Sequence, residues 1–323
     1  MEKVRGIIDS CHKEFPDNKM EVRFDEPMSL HTSFKVGGKA DAWIKPHDLP
    51  RCAAFLLGEC RRENVPLFVL GGGANIVVAD RGIRGIVLDT SAWTGIADDF
   101  SGYECSKFGH SICLRSGTSA DNASEIAAGE GLSGLEFLAG MPGSIGGAVW
   151  MNARCYEKEI ADVLLDVKIL EWDQDKGTME IKSVIYRVAD FGYKKSPFQN
   201  RDALILEARF ALNPQSGDLI RSKMAEYRQD REAKGHYRFP SGGSAFKNNR
   251  DYGKPTGMII DELGLKGLSM GGAQVAPFHG NIIINTGSAT ASDIRGILES
   301  VALQVKEATG HVLEPELLFI GDW

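Results

Sequence analysis

The sequence lacks three features that would place a protein in a broad class at once. No apolar run is long enough to span a bilayer, and the first residues contain no apolar core typical of a signal peptide. No block of basic residues is present, and the formal net charge is -7. These absences argue against membrane partners and against wide contact with nucleic acid. We therefore expect a cytoplasmic protein, in which a local basic pocket for a phosphorylated ligand remains open.

The cysteines show no pattern of a disulfide framework or a zinc site. None of the 6 forms a C-x-x-C pair, and a chain of 323 residues can form its core without covalent staples. We interpret all of them as reduced thiols and expect no metal. They are Cys11, Cys52, Cys60, Cys105, Cys113 and Cys155.

The hydrophobic pattern mixes helix-like and strand-like segments and predicts an α+β chain. With 323 residues, 43% of them hydrophobic, two or three domains are expected. Helices are predicted over residues 3–15, 49–64, 118–131, 132–138, 219–234, 259–263 and 291–309. Strands are predicted over 33–44 (two strands around a Gly-Gly turn), 67–70, 76–79, 85–89, 163–172, 179–188, 203–211, 281–285 and 313–320. Residues 212–218 are predicted to be a linker and residues 240–249 a loop.

Two Gly-rich segments stand out, residues 71–75 (GGGAN) and 140–148 (GMPGSIGGA). Successive glycine amides can turn inward and form an anion-binding nest. A Rossmann fingerprint is excluded for the first segment, because a helix must follow its glycines and here a strand pattern follows. Each segment alone is equally compatible with a tight turn or a close crossing of packed elements. Together they could hold the pyrophosphate of a dinucleotide cofactor from two sides.

Three further motifs carry polar groups: FGYKKS at 191–196, PSGGSAFKN at 240–248 and LEPEL at 313–317. The first pairs an aromatic hydroxyl with two cations, the second presents a serine after two glycines, and the third places acids in an apolar strand. Burial of such an acid is costly unless it is paired or used. A solvated basic turn, an ordinary Ser/Gly loop and exposed edge-strand acids are the alternatives. A serine hydrolase is disfavoured because the G-x-S-x-G elbow is absent.

The order of these motifs resembles that of the UDP-N-acetylenolpyruvoylglucosamine reductase (MurB) family over nearly the full length of the chain. The second Gly-rich segment and PSGGSAFKN are the most specific of the matches. The matching segments are SFKVGG from Ser33, LGGGANIVVADRGIRGIVL from Leu70, GLSGLEFLAGMPGSIGGAVWMNA from Gly131, FGYKKSPF from Phe191, REAK and then PSGGSAFKN from Arg231, and LEPELLFIG from Leu313.

The resemblance implies a fold and a domain organisation. The fold is a vanillyl-alcohol-oxidase-type (PCMH) FAD-binding domain in two subdomains, followed by a smaller α+β substrate-binding domain. The expected boundaries are 1–212 for the FAD domain (subdomains 1–95 and 96–212), 213–310 for the substrate domain, and 311–323 for a C-terminal strand that returns to the FAD domain with a catalytic acid. The short gap between Tyr193 and Ser244 resembles the class that lacks an extra substrate-covering insertion.

The resemblance also implies the chemistry. FAD, held non-covalently, and NADPH as co-substrate reduce UDP-N-acetylglucosamine enolpyruvate to UDP-N-acetylmuramate in peptidoglycan precursor synthesis. We expect a monomer that has these small molecules as its partners, and neither nucleic acid nor membrane. A flavin oxidase of the same cofactor fold and a non-catalytic UDP-sugar-binding protein are the alternatives. The first should lack LEPEL and PSGGS, and only a departure at Lys194 supports the second.

The family's functional positions carry over residue by residue. Ser244 falls on the serine that protonates the substrate carbon, and Glu316 on the catalytic glutamate, whereas Glu314 does not. Tyr193-Lys194 falls on a Tyr-Arg pair that meets the substrate carboxylate. The cofactor-binding residues are Gly71, Gly72, Gly73, Ala74, Asn75, Gly140, Pro142, Gly143, Ser144, Gly146 and Gly147. The substrate-binding residues are Tyr193, Arg231, Lys234 and Asn248.

The chain departs from the family pattern in two segments. Lysine stands at 194 where the family has arginine, and Arg154-Cys155 stands where the family has Gly-Ala after the segment MNA. A lysine still carries the charge needed beside a carboxylate but lacks the planar fork of a guanidinium. Lys195 or another cation could supply a second contact to the carboxylate, and a cation such as Lys247 could assist protonation by Ser244.

Overall fold

The computed structural model describes residues 1–97 and 110–323, which form two compact units. Unit 1 comprises Met1–Arg23, Ala42–Gly72 and the described part of Gly85–Arg228. Unit 2 comprises Phe24–Asp41, Gly73–Arg84 and Gln229–Trp323. Within the described residues, no helix combines the length and the apolarity needed to cross a membrane.

Helices and strands are mixed along the chain, as the hydrophobic pattern predicts. The helices are α1 Glu2–Glu14, α2 Leu49–Glu63, α3 Ala120–Gly129, α4 Ile145–Met151, α5 Gly217–Ala233, α6 Thr256–Glu262 and α7 Ala291–Thr309. The strands are β1 Met20–Pro27, β2 Lys39–Pro46, β3 Leu67–Leu70, β4 Ile76–Val78, β5 Ile83–Asp89, β6 His110–Arg115, β7 Leu132–Ser133, β8 Arg154–Cys155, β9 Lys158–Glu159, β10 Leu164–Asp173, β11 Thr178–Ile185, β12 Ala203–Pro214, β13 Ser241–Ser244, β14 Ser269–Met270, β15 Ala273–Val275, β16 Ile282–Asn285 and β17 Leu318–Ile320.

Unit 1 contains an antiparallel sheet of order β11-β10-β12-β6, which β7 extends by pairing with β12. Strands β3 and β5 pair in parallel, with Leu67 opposite Ile86 and Leu70 opposite Asp89, in a second sheet of order β1-β2-β5-β3. A core of buried apolar residues lies among the antiparallel sheet, α3 and α4. Because α4 is short and packs on this core, both of its ends are held at fixed positions.

Unit 2 is built on the sheet β13-β16-β15-β14 and the long helix α7. The buried residues of α7 recur at three- and four-residue spacing, so a single apolar face packs into the core of this unit. Thr290 and Asp293 form a capping box at the start of α7, and Gly310 with φ 77 ends it. Strand β17 pairs in parallel with β4, with Phe319 opposite Val77.

Several elements differ from the predicted ones for local reasons. Residues 132–138 form β7 and a single 3₁₀ turn instead of a helix. The first half of 33–44 is a turn, closed by a hydrogen bond from Thr32 Oγ1 to the Val36 carbonyl at 2.8 Å, so only β2 is a strand. The terminal strand is restricted to β17, and Pro315 before it forms only an isolated antiparallel bridge with Phe246.

Regular structure also occurs in segments that were predicted to be irregular. Helix α4 begins inside the second Gly-rich segment, where no helix was predicted, and β13 lies inside the loop predicted over 240–249. The predicted linker 212–218 is occupied by the end of β12 and the start of α5. The compact units do not follow the predicted domain boundaries: residues 24–41 and 73–84 lie in unit 2, and unit 1 extends to Arg228. The functional domain boundaries therefore stay a prediction.

Candidate active site

The two Gly-rich segments are in direct contact in unit 1. A Cβ placed on Gly72 would lie 2.5 Å from the Cα of Gly143, and one placed on Gly71 would lie 2.5 Å from Ser144 Oγ. Any side chain at these positions would separate the segments, so the approach requires glycine. The prediction that both segments belong to one site is consistent with this contact.

The amides at the start of α4 are already used inside the protein. The amides of Ile145 and Gly146 donate to the carbonyls of Thr118 and Ser116, both at 2.8 Å. The amide of Gly147 donates to the Ser144 hydroxyl at 3.3 Å, which caps the helix. These three amides therefore fix the loop, and they do not form the open nest that its sequence suggests.

The surface above Gly147 is open, in contrast to the contact at Gly72. A Cβ placed on Gly147 meets only Ser144 Oγ, at 3.5 Å. A bulky ligand could therefore approach the backbone closely at this point, as the resemblance to a dinucleotide-binding segment requires. The remaining predicted residues of this segment, Gly140 and Pro142, precede the loop, and the amide of Gly140 donates to Asp121 Oδ1 at 2.6 Å.

The second half of the first Gly-rich segment belongs to unit 2. Gly73 has φ +60, and a Cβ there would lie 2.0 Å from the His31 carbonyl O. Asn75 Nδ2 donates to the carbonyl O of Glu316 at 3.0 Å. Ala74 accepts a hydrogen bond at its carbonyl from Ser33 Oγ at 3.2 Å. Asn75, predicted to bind the cofactor, thus also fixes the backbone of the predicted catalytic glutamate.

Tyr193 and Lys194 form the tip of a tight turn in unit 1. Gly192 and Lys195 bond to each other across the turn, and Lys194 adopts the left-handed conformation with φ 57. Asn152 Nδ2 donates to the Gly192 carbonyl at 2.9 Å, and Gln199 Nε2 donates to the Lys194 carbonyl at 3.0 Å. The turn therefore has a fixed backbone, and the Tyr193 side chain is exposed on it.

Ser244 ends β13 in unit 2, where its partner across the sheet is Ile282. The residue is exposed, and the space beside the preceding Gly243 is open, because a Cβ placed there would meet no atom within 4 Å. The following segment is clamped by buried Asn281, which accepts from the Phe246 amide at 2.9 Å and donates to the Phe246 carbonyl at 2.8 Å. A ligand can reach the Ser244 hydroxyl on a well-fixed backbone.

Glu316 lies beside the Ser244 segment within the same unit. Its amide donates to the carbonyl of Ala245, the residue after Ser244, at 2.8 Å. The Glu316 side chain is buried at 7% exposure, whereas the Glu314 side chain is 69% exposed and pairs with Lys247 Nζ at 2.5 Å. The two acids of LEPEL thus differ in burial, and Lys247 is engaged by the exposed one, whereas their catalytic roles stay a prediction.

Arg231 lies in the last turn of α5, and Lys234 follows the end of the helix. Arg231 is buried at 7% exposure, whereas Lys234 is exposed and pairs with Asp230 at 2.7 Å. Burial, together with the charge of Arg231, lowers the pKa of His236 to about 4, so this neighbour is neutral near pH 7. Asn248 Oδ1 accepts from the Thr256 amide at 2.9 Å, so its amide group also fixes the start of α6.

Two asparagines that fix segments next to predicted site residues were not singled out from the sequence. Asn152 is fully buried with φ 47, and besides its bond to Gly192 it accepts from the Ala161 amide at 3.0 Å. Asn281 holds the residues after Ser244. The only sequence signal for Asn152 was its place in the segment WMNA after the Gly-rich loop, and Asn281 had none. Within the described residues, no group of three or more His, Cys, Asp and Glu could hold a metal ion.

Comparison with protein families gives two matches that together cover most of the chain. The model for the C-terminal domain of UDP-N-acetylenolpyruvoylglucosamine reductase matches residues 235–320. An FAD binding domain model matches residues 41–178, which include both Gly-rich segments. Ser244 and Glu316 lie in the first of these regions.

Individual relatives match over nearly the whole chain. UDP-N-acetylenolpyruvoylglucosamine reductase of Treponema denticola is 41% identical over 316 residues, which cover 94% of each chain. The enzyme of the same name from Borreliella burgdorferi is 40% identical and covers 91% of this chain and 93% of its own.

Among solved structures, the MurB enzyme of Thermus caldophilus matches with a TM-score of 0.70 and 30% identity, covering 94% of this chain and 99% of its own. The α+β fold with an FAD-binding domain, predicted from the sequence, is thereby confirmed. The chain belongs to the UDP-N-acetylenolpyruvoylglucosamine reductase (MurB) family, whose members are NADPH-dependent FAD flavoenzymes of peptidoglycan precursor synthesis.

Proposed function

We propose that this chain reduces UDP-N-acetylglucosamine enolpyruvate to UDP-N-acetylmuramate, with Ser244 as the proton donor and Glu316 as the carboxylate that organises the site around it. One observation carries the assignment: the backbone bond from Glu316 to Ala245 holds a buried carboxylate next to the segment of an exposed serine. A carboxylate positioned close to an accessible hydroxyl is the kind of arrangement expected of a catalytic site.

FAD reduced by NADPH, when bound, supplies a hydride to the vinyl carbon furthest from the substrate carboxylate. The residues that would hold FAD are those of the two Gly-rich segments, 71–75 and 140–147. The open face of Gly147 supports this fit, since a Cβ there would occupy space that a ligand could fill. No histidine lies in either segment, which is consistent with non-covalent binding.

Hydride addition leaves negative charge on the neighbouring carbon and its carboxylate. A serine hydroxyl is a weak acid, but this carbanion-like centre is a strong base, so the Ser244 hydroxyl can transfer its proton to it. Lys194, held by the Gly192–Lys195 turn, would neutralise the growing charge on the carboxylate. Tyr193, Arg231, Lys234 and Asn248 would bind the remaining polar groups of the substrate.

The cellular setting is part of the proposal. We place the protein in the cytoplasm as a monomer whose partners are the sugar nucleotide and NADPH, with no nucleic acid or membrane partner. The absence of a basic block and the net charge of -7 argue against a nucleic-acid or anionic-membrane partner. Light scattering of the purified holoprotein checks the oligomeric state.

Stopped-flow absorbance of the flavin tests the catalytic assignment, because the two half-reactions can be followed separately. Ser244→Ala should leave bleaching by NADPH nearly intact and slow reoxidation by the enolpyruvate substrate by ~10²–10⁴-fold. Ser241→Ala, at the other end of β13, is the matched control and should leave both steps unchanged. Equal loss in both half-reactions, or an unchanged second step, would contradict the role of Ser244.

A further inference from the structure

We infer that Arg154 binds the substrate carboxylate together with Lys194 and so supplies the guanidinium that the Tyr193 turn itself lacks. This inference rests on the proposed function and adds a binding residue to it. Its basis is a contact in unit 1: the Arg154 guanidinium carbon lies 5.9 Å from the centre of the Tyr193 ring. A cation at this distance over an aromatic face is attracted by the ring.

The position of Arg154 is set by a hairpin that tertiary contacts hold in place. Arg154-Cys155 pairs with Lys158-Glu159, and the two residues between them, Tyr156 and Glu157, have φ 51 and 62. Such turns prefer asparagine or glycine, so other contacts must stabilise this one. The Tyr156 ring stacks on Tyr227 with centroids 3.9 Å apart, and its hydroxyl donates to the Tyr227 carbonyl at 2.9 Å.

The hairpin and the Tyr193 turn are fastened to each other at their bases. Asn152, two residues before Arg154, donates to the Gly192 carbonyl, one residue before Tyr193. The Ser196 hydroxyl donates to the Trp150 carbonyl at 2.6 Å on the far side of the turn. Arg154 and Tyr193 therefore extend from two backbone segments whose spacing is fixed by these bonds.

The Arg154 guanidinium has no carboxylate partner among residues 1–97 and 110–323. Among the described residues, no ion pair involves Arg154, although Glu159 lies opposite it in the hairpin. The Glu159 carboxylate instead accepts from the Asp162 backbone in a capping box. A partly buried guanidinium without an internal counter-ion favours an external anion, and a carboxylate matches its planar fork.

The chemistry of the two cations is complementary. A guanidinium offers a carboxylate two parallel N–H···O bonds, whereas a lysine supplies a compact charge. The two departures from the family pattern, lysine at 194 and arginine at 154, thus fall on backbone segments that bond to each other. We interpret the two departures as one linked exchange, in which the guanidinium is supplied by the hairpin and not by the turn.

Ligands that differ in the carboxylate give a direct test on the FAD-loaded enzyme. UDP-N-acetylmuramate carries the carboxylate, and UDP-N-acetylglucosamine does not. Titration calorimetry should show that Arg154→Met weakens binding of the first ligand by about 10- to 100-fold, the worth of charge-assisted hydrogen bonds, and leaves the second unchanged. Lys158→Met, at an exposed lysine of the same hairpin, is the matched control and should change neither.

A second variant tests the exchange itself. Lys194→Arg, introduced into Arg154→Met, returns a guanidinium to the turn and should restore most of the lost affinity for the carboxylate ligand. Equal weakening of both ligands by Arg154→Met would make its role structural, and unchanged binding of both would place it outside the site. Either result would overturn the inference.

The proposed function fails in a distinguishable way. In that case the wild-type enzyme itself would show no flavin reoxidation by the enolpyruvate substrate. Reoxidation that is normal in wild type and slow in Ser244→Ala, together with wild-type affinity of Arg154→Met for UDP-N-acetylmuramate, would leave the proposed function intact and overturn only the role of Arg154.

Discussion

The Tyr193 turn and the segments that carry Ser244 and Glu316 differ in how they are joined to their neighbours. Side-chain amides of Asn152 and Gln199 join the turn to its neighbours, and the turn contains a left-handed lysine. In the other region, side-chain amides also contribute, but main-chain bonds join the two segments directly, from the Glu316 amide to the Ala245 carbonyl and from the Lys247 amide to the Glu314 carbonyl. The first region should be sensitive to substitution of its supporting residues, and the second should tolerate replacement of its functional side chains.

The largest effect should come from Glu316→Gln, which separates catalysis from folding. The backbone bonds of Glu316 do not involve its carboxylate, so the fold should survive the change. Flavin reoxidation by the enolpyruvate substrate should slow by ~10²–10⁴-fold, the range for a group in acid–base catalysis. Stopped-flow absorbance measures this step, and circular dichroism checks the fold.

Glu314→Gln is the matched control within the same motif. It removes only an exposed ion pair with Lys247, of the kind worth about 0–1 kcal/mol. Its kinetics should be close to those of wild type. Identical kinetics in the two variants would show that the register chosen within LEPEL is wrong.

The second-largest effect concerns the Tyr193 turn, which side-chain amides join to its neighbours. Asn152→Ala removes the partners of the Gly192 carbonyl and the Ala161 amide, and leaves a left-handed position to a residue that disfavours it. Unpaired buried groups of this kind cost about 2–4 kcal/mol together, so the free energy of unfolding should fall by that amount. Urea denaturation measures it.

Asn200→Ala, at an exposed asparagine beyond the same turn, should change the free energy of unfolding by less than ~0.5 kcal/mol. If Asn152→Ala were equally mild, the turn would be held by something other than the two amides. The contrast between the two regions would then disappear.

The parts that could be predicted from the sequence are those that local signals determine. The bounds of α7 followed from apolar spacing and from Gly310, and the functional motifs were found by their order. Helix α4 was missed because the glycines after its capping serine are typical of a loop. Strand β13 was missed because a segment with two glycines in four residues has the composition of a loop. The bonds from Asn152 to Gly192 and between Asn281 and Phe246 join residues 35 or more positions apart, which no local pattern reveals.

The smallest effect distinguishes the two glycines before Ser244. A Cβ placed on Gly242 would lie 2.3 Å from the Phe34 ring and 2.6 Å from Leu317 Cδ2. Gly243 has φ +78 and open space around it. Gly242→Ala should therefore cost about 1–3 kcal/mol through overpacking, and Gly243→Ala about 1 kcal/mol through backbone strain.

A second substitution separates these causes, because overpacking can be relieved and backbone strain cannot. In a Phe34→Leu background, the cost of Gly242→Ala should shrink, since the leucine leaves room for the added methyl group, whereas the cost of Gly243→Ala should stay the same. Urea denaturation of the two double-mutant cycles measures both couplings. A coupling at Gly243 as large as that at Gly242 would mean that both glycines serve packing. The backbone before Ser244 would then be held by side chains, as the Tyr193 turn is, and not by its own main-chain bonds.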